Sequence, residues 1–208
     1  MKTLILTILS IFIASNVFAD TENWAYECSS EAKQIYEKKI IQYPCENIPK
    51  LLRQGNTEDL YHTIRDAGLF RTTSCGSIIK KHENKLNKMV GVKDAVAFYY
   101  YRLGDKQQLK ILANSFDKET FDKETNSFGG DHWTVELFGF LDDWDISGVR
   151  LVRSAAHADA SGAELLCSAL SWRRYLYGET IFKQNWYKFG KKEKIDERTL
   201  DHFYATCE

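Results

Sequence analysis

Asp105-Lys-Gln-Gln-Leu-Lys-Ile-Leu112, Asp145-Ile-Ser-Gly-Val-Arg-Leu-Val152 and Asp159-Ala-Ser-Gly-Ala-Glu-Leu-Leu166 are three versions of one phrase. Each runs through an aspartate, three mostly small or polar residues, an apolar residue, a polar one and two apolar ones. Aspartate opens helices because its carboxylate accepts from the free N–H groups of the first turn and sits at the positive end of the dipole. The phrase is a helix start written three times, with the aspartate as its expected cap. Fainter versions stand at Asn56-Thr-Glu-Asp-Leu60 and Asp196-Glu-Arg-Thr-Leu200.

The residues around these starts keep helical spacing. Val92, Ala95, Val96, Tyr99 and Leu103 fall three or four positions apart. After the Gly104-Asp105 turn, Leu109, Leu112, Ala113 and Phe116 do the same. Such spacing gathers apolar side chains on one helix face. It predicts a hairpin of 92–103 with 105–116, a second of roughly 132–142 with 146–157, and a third of 160–177 with 180–190. Further helices are expected over Ser29–Gln42, Thr57–Ala67 and Cys75–Lys88, with Gly68 and Gly91 as terminators. The two prolines, Pro44 and Pro49, both precede the hairpins. The expected fold is all-α: antiparallel helical hairpins, strongest in 92–190, stacked as a short solenoid or a compact helical bundle. The hairpin pattern resembles HEAT-like α-solenoid proteins over about half the chain. That resemblance implies a long ridged surface suited to protein partners.

Met1–Ala19 reads as a cleaved export signal. Lys2 is its charged start, Leu4–Ile13 its apolar run, and Val17-Phe18-Ala19 its cleavage site. The run is too short for a good membrane span, and no second one follows, so no membrane anchor is expected after cleavage. Asp20–Glu208 then forms a single helical domain, soluble and periplasmic or secreted. A formal net charge of −1 argues against a nucleic-acid partner.

Cys28, Cys45, Cys75, Cys167 and Cys207 all follow the signal. Export implies disulfides. A helix between Cys28 and Cys45 holds them roughly 25 Å apart at ~1.5 Å per residue, so those two should not pair. The candidates are Cys45 with Cys75 and Cys167 with Cys207. Cys167, beside Leu165, Leu166 and Leu170, is equally readable as a buried thiol.

Catalytic and metal motifs are sparse. Asp143-Trp-Asp145-Ile-Ser147-Gly148 begins like a calcium loop, but Ser154 occupies the position that needs a bidentate Glu. His132, His157, Asp143 and Asp159 lack zinc-ligand spacing. Neither a metal nor a cofactor is expected. Glu136 and Glu164 are candidate carboxylates for glycan hydrolysis, although both are read as solvent-facing.

Charge says more. From Glu124 to Val149 the acids Glu124, Asp131, Glu136, Asp142, Asp143 and Asp145 occur without one Lys or Arg. The stretch from Arg173 to Lys194 is basic. Trp133 and Trp144 stand among the acids, and aromatics ringed by charge mark interaction hot spots. Phe116-Asp-Lys-Glu-Thr120 is repeated at once as Phe121-Asp-Lys-Glu-Thr125, opening a long polar connection. The functional expectation is an exported protein-binding module, of inhibitor or immunity type. Trp133, Glu136, Asp142, Asp143 and Trp144 would meet a basic protein partner. The alternative is a cell-wall or glycan hydrolase.

Overall fold

The computed structural model describes residues 44–117, 121–122, 127–128, 133–158 and 160–207. The export segment, the helix expected over Ser29–Gln42, Cys28, His132 and Asp159 lie outside them. The described residues form ten α-helices: α1 (Ile48–Gln54), α2 (Thr57–Leu69), α3 (Gly76–Leu86), α4 (Val92–Arg102), α5 (Gln108–Ser115), α6 (Trp133–Gly139), α7 (Trp144–His157), α8 (Ala160–Tyr177), α9 (Glu179–Lys192) and α10 (Glu197–Thr206). A two-residue ladder, Phe121 opposite Phe128 and Asp122 opposite Ser127, sits within the long polar connection. The fold is all-α.

Capping side chains set the starts of α2, α7 and α10, whereas α5 starts after Gln107 without a side-chain cap, so Asp105 is not the cap expected there. Asn56 accepts from the Asp59 N–H at 3.1 Å, and Asp196 from the Thr199 N–H at 2.9 Å. The start of α7 corrects the sequence reading. Its cap is Asp143, which accepts from the Ile146 N–H at 2.9 Å. Asp145 lies one position inside the helix and is exposed. Its charge still favours the first turn through the dipole, but it holds no cap. Asp105 accepts from the Gln107 N–H at 3.1 Å in the turn leading into α5. The segment Ile48–Gln54, not expected as a helix, forms one with Pro49 in its first turn, where a missing N–H costs nothing.

The three expected hairpins are present as packed neighbours: α4 with α5, α6 with α7, and α8 with α9. The most extensive packing runs elsewhere, between α2 and α4 and between α6 and α8. Gly68 shows why. It does not terminate α2 but lies inside it, where an added Cβ would come within 2.9 Å of the Phe98 ring and 3.0 Å of the Tyr99 Cα. The missing side chain lets α2 and α4 approach, and the reversal falls to Arg71, whose φ is 53°. Buried residues from Cys45 to Cys207 form one continuous core.

The first two residues of the repeated pentapeptide, Phe116 and Asp117, are structural. Phe116 is buried edge-on against Phe138, with ring centroids 5.2 Å apart, and Asp117 pairs with Arg150. Two disulfides close the ends of the described domain. Cys45 bonds Cys75 with Cα atoms 5.5 Å apart, and Cys167 bonds Cys207 with Cα atoms 4.7 Å apart. Cys167 is therefore not a thiol, and Cys45 is taken by Cys75 rather than Cys28. Among the described residues no helix is long and apolar enough to cross a membrane.

Candidate functional site

The five residues singled out by charge and aromaticity fall at opposite ends of α6, which at seven residues spans ~10 Å. Trp133 and Glu136 belong to its first turn; Asp142, Asp143 and Trp144 follow its end.

At the first end Glu136 is not part of a solvent-facing acidic surface. It is 8% exposed. Arg65 Nη1 donates to both its oxygens, at 2.9 and 3.1 Å. The Tyr61 hydroxyl reaches Glu136 at 3.0 Å and the Trp133 carbonyl at 2.9 Å. Ser168 donates to Glu136 from α8 at 3.2 Å. A buried carboxylate requires such pairing, since an uncompensated buried charge is strongly destabilising. Glu136 therefore ties α2, α6 and α8 together. Burial alone would push its carboxyl up, but the charge and hydrogen bonds of Arg65, with His62 and the Tyr61 hydroxyl, hold it below the ordinary glutamate range. Beside it burial wins at Asp66, whose carboxyl is pushed up despite its bonds from Arg65. Burial, then the Arg65 charge, lower His62. Trp133 is half-buried against the Tyr61 ring, with centroids 5.0 Å apart.

At the other end Asp142 and Asp145 are exposed, and Trp144 is half-buried between them. Beneath Trp144 lies Arg173 of α8, fully buried, with its guanidinium 3.9 Å from the ring centroid. Arg173 donates to the carbonyls of Phe138 at 3.1 Å and Leu141 at 2.6 Å, and to the Ser147 hydroxyl. It thereby satisfies carbonyls freed at the end of α6. Burial pulls the guanidinium down to about 10, against the pull of Tyr177, Asp142 and Asp143; it stays charged at neutral pH. The Tyr101 hydroxyl donates to Asp142. That bond, more than burial opposes it, holds the Asp142 carboxyl below its ordinary range.

The other tryptophans among the charges are core residues. Trp172 packs on Phe140 with centroids 4.8 Å apart, and Trp186 is buried with its indole N–H on the Leu200 carbonyl at 3.1 Å. The basic stretch is mixed: Arg173 and Arg174 support the fold, whereas Lys183, Lys188, Lys191, Lys192 and Lys194 are exposed. Glu164 is exposed, whereas Glu136 is buried and engaged by Arg65, Tyr61 and Ser168. Among the described residues no three His, Cys, Asp or Glu side chains gather as a metal site.

Sequence reasoning missed a cleft of about 480 Å³ over α4, flanked by α3 and α5. One stripe of each helix lines it: Glu83 and Asn87 of α3; Lys93, Val96, Ala97 and Tyr100 of α4; Gln108, Ile111, Asn114 and Ser115 of α5. The three-and-four spacing of these stripes is visible in the sequence, but which faces meet is decided by helix packing. Asp94 lies in the same lining, 1% exposed, accepting from Ser115 at 3.0 Å and from Thr134 of α6 at 2.6 Å. No family profile, curated protein or solved structure matches this chain.

Proposed function

We propose that this chain is an exported protein-binding module, of inhibitor or immunity type, that meets a basic partner at the corner between α6 and α7. One observation carries the reading: Trp144, between the exposed carboxylates of Asp142 and Asp145, is held in place on the buried Arg173 guanidinium. A fixed aromatic beside exposed charge loses little entropy on binding, and the charge steers an oppositely charged partner. The two disulfides support an oxidising destination, periplasmic or secreted. The packed hairpins support a stacked-hairpin, HEAT-like scaffold presenting this corner. Trp133, half-buried, stands at the other end of α6, where Glu136 serves the fold.

The test is affinity capture from the exported fraction with the full chain and with the D142K/D145K variant, followed by association rates for the captured protein. The expected result is a basic partner whose on-rate falls with salt for the native chain, and a variant with a slower rate and a flatter salt dependence. Asp143 is left intact because it caps α7. Equal rates and equal salt slopes would refute the corner as the binding site.

A further inference from the structure

The cleft between α3 and α5 lies on different helices from the α6–α7 corner, and its chemistry differs. Its walls carry planar amides: Asn87 on α3 and Asn114 on α5, both exposed. A neutral amide donates and accepts at once, which matches hydroxyl groups better than ions. The charge in the lining is compensated. Glu83 is paired with Lys80 at 2.6 Å, and Lys93 lines the cleft along with Asp94. With Glu83, Lys93 and Asp94 together in the lining and Glu83 paired with Lys80, no single sign of charge prevails there.

The rest of the lining is a surface for carbon. Val96 and Ala97 form an apolar floor, and Ile111 is 50% exposed beside them. Tyr100 adds a ring. Its hydroxyl is buried, so Tyr100 offers the cleft a ring rather than a hydrogen bond. The volume, about 480 Å³, falls in the ~300–1,000 Å³ range of small-molecule sites.

We propose that this cleft binds a small polyhydroxylated ligand, a saccharide of one or two rings, with Asn87 and Asn114 as hydrogen-bonding walls and Tyr100 and Ile111 as packing surface. The sugar hydroxyls pair with the amides; the C–H face of the ring lies on Ile111 and the Tyr100 ring. This is binding without hydrolysis, and it stands independently of the protein-binding corner.

The experiment is a titration of the isotope-labelled full chain, disulfides intact, followed by nuclear magnetic resonance. The probes are glucose, galactose, N-acetylglucosamine, maltose and chitobiose at millimolar concentrations, with spermidine and trialanine as non-sugar comparisons. At least one sugar should give saturable shifts at the side-chain amides of Asn87 and Asn114 and the methyl groups of Ile111. N114A should weaken it about tenfold, the loss of ~1.4 kcal/mol, with an unchanged melting temperature. N87A is the second variant and should weaken binding similarly, while Y100F, which keeps the ring, should leave it unchanged. The proposal is overturned if no sugar saturates, if the shifts map elsewhere, or if spermidine or trialanine binds the cleft more tightly than every sugar.

Discussion

Gly139 of α6 meets Ala169 of α8 backbone to backbone: a Cβ on Gly139 would stand 2.6 Å from the Ala169 carbonyl oxygen and 2.7 Å from its Cα. Neither atom is the far end of a flexible side chain. Gly139→Ala must therefore push two helices apart, and overpacking of this kind costs about 1–3 kcal/mol. The upper end is expected, because Arg173 spans the same helix pair and its bonds to Phe138 and Leu141 must stretch too. Urea unfolding of both proteins measures it; an unchanged midpoint would show that α6 can slide without loss.

Glu136→Gln removes one of the two buried carboxylates, Glu136 and Asp66, that Arg65 joins. Removing one member of a buried pair costs roughly 3–5 kcal/mol, and about 3 is expected since the amide keeps some hydrogen bonds. The pH dependence has a definite sign. The folded-state value of Glu136 lies below the ordinary one, so its contribution is complete above about pH 4.3 and is lost as pH falls through the folded value. The gap between native and variant stability should narrow below about pH 4. A gap that widens on acidification refutes the assignment. Asp66 runs the other way: its raised value favours the folded state at low pH and loses that contribution as pH rises.

His62 adds a second, separate window. Burial and the neighbouring Arg65 lower it, so the folded state binds its proton less readily than the unfolded chain does. Stability should then fall as pH drops below about 6.5. His62→Asn is expected to flatten the melting-temperature curve between about pH 5 and 6.5 and to leave it unchanged above 7. The same slope in the variant would assign the effect to another group.

Asp143 and Asp145 make a matched pair of probes. Asp143→Ala removes a cap and should cost about 1 kcal/mol. Asp145→Ala changes an exposed first-turn charge and should cost no more than a few tenths. Thermal denaturation of the two variants ranks them; the reverse order would return the cap to Asp145.

That pair also shows how far the sequence could be read. Helices were legible because apolar residues recur at three and four positions, a pattern local to each segment. Whether Asp143 or Asp145 caps was not, because both precede an apolar run at spacings a cap tolerates. The disulfides could be narrowed because the helix expected over Ser29–Gln42 argues against pairing Cys28 with Cys45, whereas the burial of Glu136 depends on Arg65, far away in sequence. One local signal pointed to it. Glu136 interrupts Val135-Glu-Leu-Phe-Gly-Phe-Leu141, and an acid sunk within such an apolar run needs a partner. The cleft left no such trace, since its stripes are unremarkable until α3 and α5 flank α4.

The two disulfides have a further consequence. One fastens the turn before α1 to the turn before α3; the other fastens the residue after α10 to the middle of α8. Terminal helices ordinarily fray first and hand a protease its starting loop. Here the first and last described elements are fastened to segments deeper in the described domain, so peeling at either point stops at the crosslink. Loosening there must then involve the elements on both sides of each bond, and its pace becomes a question of the unfolding rate.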